Sequence, residues 1–217
     1  MLFRSRALLH RIGQVEVSWR WYAFALGFMV TIKLTAALVH RLTMGAWPRF
    51  GSESLFIILP AILISTPFQA GEEIGWRGYA LPRMASRWGL ARASVLLGVI
   101  WAFWHLPLFF LHFGDTYGQS FAVYLTQVTA ISVAMAWLFA QTKGSLLLVM
   151  LMHSAINNTK DIVPAALPGA ENPLTLHASP MAWIGASLLW ICAAYFLMRM
   201  PKLELRASET RSRLTNA

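Results

Sequence analysis

The chain has 217 residues, 57% apolar and only 12% charged, with a mean hydropathy of +0.54. A soluble domain carries about 25% charged residues, so the composition argues against a water-soluble single-core protein and places the chain in the membrane class. The net charge of +9 is spread between apolar runs and at both ends, not gathered into a stripe, which argues against a nucleic-acid surface, and the lone Cys192 rules out an internal disulfide.

A basic segment, 1–20, comes first. Six stretches then approach the ~20 apolar residues that a crossing requires. They run from Trp21 to Leu42, Ser54 to Ala70, Ser94 to Phe113, Phe121 to Ala140, Ser145 to Val163 and Met181 to Met200. Each is expected to be helical, because lipid leaves any other open backbone unsatisfied. The expected fold is therefore all-α, a polytopic bundle of about six transmembrane helices over 21–200, followed by a polar tail, 201–217. No internal repeat is visible. The N-terminal apolar run is too long for a cleavable signal and is expected to stay as an anchor.

Lys and Arg placement sets the orientation. With the N-terminus inside, the inner segments hold most of the 18 basic residues, among them Arg4, Arg6, Arg11, Arg20, Arg83, Arg87, Lys143, Arg206, Arg211 and Arg213. The outer loops hold Arg41, Arg49 and Lys160. Both termini are thus expected in the cytosol and the protein in the cell (inner) membrane. Lys33 lies deep within the first stretch. Two readings stand for it, a functional intramembrane charge and a side chain that snorkels or meets a neighbouring helix.

Three stretches carry polar groups that lipid tolerates only for a reason. The first contains Glu72, Glu73 and Arg77, the second Trp101 and His105, the third His153 and Asn157. On a continuing helix Glu73 and Arg77 face each other, while Glu72 points about 100° away. One carboxylate is then braced and the other free to accept a proton. With the second helix running on to about Ala80, Glu72 lies about 12 Å from its inner end, while His153 lies about 12 Å and His105 about 16 Å from the starts of their stretches. The three are expected to share one cavity between helices, open to the cytosolic side. His153 and Asn157, four apart, lie on one helix face and can donate to a common oxygen; packing between membrane helices is the plainer alternative.

These residues resemble the CPBP intramembrane protease family, also called the CAAX-protease or Abi family. Its signature is E-E-x-x-x-R, then F-x-x-x-H, then H-x-x-x-N or H-x-x-x-D. Glu72, Glu73 and Arg77 match the first motif and His153 and Asn157 the third. Trp101 stands where Phe is usual, four residues before His105. Family members usually carry more spans before the first motif; here one precedes it. The resemblance implies an intramembrane endopeptidase with catalytic Glu72, His105, His153 and Asn157. Glu72 is the general base, His105 holds the water, and His153 and Asn157 stabilise the oxyanion. Glu73, Arg77 and Trp101 give structural support.

The family's history also admits a metalloprotease. Glu72, His105 and His153 are acceptable zinc ligands, but no H-E-x-x-H helix is present, and the metal-free reading is preferred, with no cofactor. The implied partners are the lipid bilayer and a peptide or protein substrate entering from the membrane or the cytosolic side. CAAX-box processing, peptide maturation and bacteriocin immunity are the functions that the resemblance offers. A proton-coupled transporter or channel, and a non-catalytic immunity protein on the same fold, are the competing readings.

Overall fold

A computed structural model describes Leu8 and residues 10–52, 54–112, 116–160, 162–164 and 172–204. Arg4, Arg6, Arg206, Arg211, Arg213 and most of the expected polar tail lie outside the described residues. All regular structure within them is helical. Helix α1 spans Trp19–Met44 and ends on Gly45, whose φ of 76° supplies the left-handed turn of a helix C-terminus. Helix α2 spans Leu55–Ser65. A 3₁₀ turn, Thr66–Gln69, and the short α3, Ala70–Glu73, follow. A π-helix, Ile74–Ala80, leads into α4, Leu81–Trp88. Then come α5, Leu90–His105, with a 3₁₀ turn over Leu106–Phe110, α6, Phe121–Gln141, α7, Leu146–Asn158, and α8, Pro180–Met198. Ser54, Ser120, Ser145 and Ser179 cap the N-termini of α2, α6, α7 and α8 by accepting a backbone N–H within the first turn.

Among the described residues, four helical stretches are long and apolar enough to cross a membrane: α1, Leu90–Phe110, α6 and α8. The other two expected spans are irregular. The second is interrupted after Ser65, where Pro67 enters the 3₁₀ turn and removes a backbone donor. The fifth ends at Asn158, not Val163, with Thr159 as its C-cap. Its 13 residues cover about 20 Å, short of the ~30 Å hydrocarbon core. These two irregular elements carry Glu72, Glu73, His153 and Asn157. Broken backbone at membrane depth is tolerated where protein or a cavity surrounds it.

Helix α6 is the central post, buried almost continuously from Val128 to Ala140 and packed against α5, α7 and α8. Helix α1 lies on α7 and α8, and α2 on α7. The α5–α6 crossing depends on Gly98. A Cβ there would stand 2.7 Å from Thr129 Cα and 2.8 Å from Ser132 Cβ, so the two backbones approach as only a small residue allows. Ser132 Oγ donates to Ser94 O at 2.9 Å along the same seam. Gly98→Ala is expected to cost about 1–3 kcal/mol through overpacking, read as a lowered thermal midpoint of the detergent-solubilised protein. An unchanged midpoint would show that the seam can open without cost.

The bond between α2 and α7 is polar. Ser154 Oγ donates to Ile62 O at 2.7 Å and meets Ser65 Oγ at 2.5 Å, while Asn158 Nδ2 donates to Ser65 Oγ at 2.8 Å. Asn158 is thereby committed to the scaffold. Its neighbour Asn157 is exposed.

Candidate active site

Glu72 and Glu73 close α3, just before the π-helix. Glu73 is fully buried, and Arg77 Nη1 donates to its two oxygens at 2.8 and 3.1 Å. The i,i+4 pair expected from spacing is formed. A third partner was not expected: His153 Nδ1 donates to Glu73 Oε1 at 2.7 Å. Arg77 is also fully buried, and its Nε and Nη2 have no hydrogen-bond partner among the described residues. Its guanidinium carbon instead lies 4.3 Å from the centroid of the Trp101 ring, where the π face supports the charge.

Trp101, on the inward face of α5, organises the rest. Its Nε1–H donates to Glu72 Oε2 at 2.7 Å. Its carbonyl accepts from His105 Nδ1 at 2.9 Å. Its ring meets His153 and His105 in T-shaped contacts at 5.2 and 5.7 Å. A phenylalanine keeps the aromatic packing but has no N–H for Glu72, so the departure from the usual motif adds a donor to the site.

Glu72, His105, His153 and Asn157 line one cavity of about 600 Å³ with Trp101. Glu73 and Arg77 sit behind them. Lys33 also lines the cavity, and its Nζ donates to Val163 O, beyond the end of α7, at 3.0 Å. Tyr124 and Gln127 of α6 are further lining groups that the motifs did not flag. Their signal in the sequence is faint: two polar groups three residues apart in an apolar run, hence on one helix face.

The cavity reaches Leu108, Thr116 and Gln119 at the end of α5, and Lys160 and Pro164 beyond α7. Those are the helix ends that the charge bias assigns to the outer side. Helix α5 starts at Leu90, four residues before the expected Ser94, and His105 is its last residue, about 22 Å from that start at 1.5 Å per residue. The expected cytosolic opening and the expected cytosolic placement of the basic helix ends therefore exclude one another in this fold.

Each histidine has its Nδ1–H anchored, one on a carbonyl and one on a carboxylate, as histidine ligands of metals commonly do. The donor types suit zinc. Among the described residues, however, no group of three His, Cys, Asp or Glu side chains could hold a metal ion, and no step is built on one.

The comparisons with known proteins fall on the same residues. The family model for type II CAAX prenyl endopeptidase Rce1-like proteins matches residues 50–159, just over half of the chain. A protein of Methanococcus maripaludis named CAAX prenyl protease 2 is 30% identical over 115 residues. That match covers 49% of this chain and 40% of the relative, so the chain spans less than half the length of the curated relative it matches. The family match runs from just before α2 to just after α7, and thus across every motif that meets in the cavity. The chain is a multi-pass membrane protein and belongs to the Rce1-like family of type II CAAX prenyl endopeptidases.

Proposed function

We propose that the protein is an intramembrane endopeptidase that hydrolyses a peptide bond with a water activated by Glu72. The observation that carries this reading is the contrast between the adjacent glutamates. Glu73 is buried and bonded to Arg77 and His153, whereas Glu72 is half-buried on the cavity wall with one oxygen held by Trp101. Its other oxygen is the base. It takes a proton from water as the water oxygen bonds to the substrate carbonyl carbon, then passes that proton to the amide nitrogen as the C–N bond breaks. His105, with Nδ1–H fixed on Trp101, turns the lone pair of neutral Nε2 outward to hold the same water. Asn157 donates to the oxyanion, and His153 joins it when protonated, because its neutral form has spent its N–H on Glu73.

A prenylated peptide ending in a CAAX motif is the first substrate to try, on the strength of the family's description and the relative's name. Comparing the membrane peptidomes of cells carrying the wild type and Glu72→Gln identifies other substrates. Peptide products that vanish in the variant support the reading; identical peptidomes together with no CAAX cleavage would sink it. The reading uses no metal. Cleavage is expected to persist after exhaustive chelation, with no stoichiometric metal in the purified protein by mass spectrometry. Loss on chelation and recovery with zinc would replace the glutamate scheme with a metal one.

A further inference from the structure

We propose that Tyr124 is a catalytic hydrogen-bond donor in this site, its phenol O–H binding the oxyanion formed when a substrate carbonyl is attacked. The inference rests on the endopeptidase reading and deepens it. It starts from which groups can donate. An attacked carbonyl oxygen gains negative charge and needs O–H or N–H groups aimed at it in a site shielded from water. His105 and His153 each use Nδ1–H within the protein, on Trp101 O and Glu73 Oε1. A neutral imidazole has a single N–H, so both rings offer the cavity a lone pair at Nε2. Glu72 as a carboxylate only accepts. The Trp101 N–H is committed to Glu72, and one of the two N–H groups of Gln127 Nε2 goes to Ala182 O at 2.8 Å. The wall around the base is therefore rich in acceptors, and the motif residues leave it Asn157 as its neutral donor.

Tyr124 supplies the second. It lies in the first turn of α6 and lines the cavity. Its ring is wedged between His105, at 5.7 Å, and Phe109, at 5.0 Å. Tyr124 shares that cavity wall with Glu72, and the hydroxyl is the one polar atom of its side chain. Among the described residues no side chain or carbonyl takes up that O–H, so it is available to a ligand in the cavity. Ring contacts from His105 and Phe109 hold the phenol in place before substrate arrives, which is what makes such a donor effective. The proton inventory is unchanged: Tyr124 keeps its proton throughout, and Glu72 alone carries the water proton to the leaving amine.

The test uses the full chain in detergent and a peptide that it cleaves, with Glu72→Gln assayed alongside. Tyr124→Phe keeps the ring and removes only the oxygen. It is expected to lower kcat on the order of 100-fold, with KM and the unfolding midpoint little changed. Binding of a phosphinate peptide, a tetrahedral mimic, should weaken by a similar factor, while binding of intact substrate to the Glu72→Gln background should not respond to the second change. Wild-type kcat in Tyr124→Phe, or equal weakening of substrate and phosphinate, overturns the proposal. If Glu72→Gln itself cleaves at the wild-type rate, the endopeptidase reading fails first and takes this one with it. Inactive Glu72→Gln beside fully active Tyr124→Phe sinks the Tyr124 role alone.

Discussion

Glu72→Gln is expected to slow peptide hydrolysis by about 10²–10⁴-fold, the span attributed to a positioned general base, while the protein still inserts and folds. The substitution is nearly isosteric. The amide oxygen can still accept from Trp101 Nε1, so the local packing has no reason to move. What disappears is basicity, since an amide does not take a proton from water near neutral pH. Glu72 makes no ion pair with Arg77, which is spent on Glu73, so the fold has little stake in its charge. Steady-state kinetics on a defined peptide, with unfolding midpoints beside them, measure both halves of this expectation. A variant that keeps more than half of the wild-type rate places the base elsewhere.

Arg77→Met produces the opposite pattern, a large loss of stability. Glu73 and Arg77 are both 0% exposed, and removing one partner of a buried pair costs about 3–5 kcal/mol because the other charge is stranded. Here the stranded group is a carboxylate with His153 as its remaining partner, and Trp101 also loses the cation over its face. Denaturant titration followed by circular dichroism in detergent would show the midpoint fall. The double variant Arg77→Met with Glu73→Gln is expected to recover part of the loss, since no unpaired carboxylate remains in the interior. A single-variant cost below about 1 kcal/mol, the range of an exposed pair, would mean that water reaches this pair in the membrane.

Contacts set by spacing along one helix were legible in the sequence. Glu73 and Arg77 pair, Glu72 turns aside, and His105, His153 and Asn157 reach a common cavity. Contacts set by packing between helices were not. Nothing in H-x-x-x-N tells that His153 will lean on Glu73, because that bond depends on how α7 lies against the end of α3. Trp101 is expected from the sequence to give structural support, and its indole N–H is what Glu72 uses; a hydrogen-bonding direction is invisible until the partner helix is placed. The π-helix was hidden as well. Apolar periodicity does not separate it from an α-helix over seven residues, and Glu73 and Arg77 still meet across its start. Starting α5 at Leu90 moves His105 to the far end of that helix, so a cytosolic cavity opening and the orientation read from the basic residues do not hold together.

Trp101 ties together groups that a hydrolase usually tunes one at a time. Its N–H fixes Glu72, its carbonyl orients His105, its face carries Arg77 and its edge meets His153. A shift of this one side chain would displace Glu72, His105 and the buried guanidinium of Arg77 together. Such a centre resists gradual adjustment: a substitution at Trp101 alters four contacts at once, whereas Met29 of α1 or Ile131 of α6 can change the shape of the cavity without touching any of them.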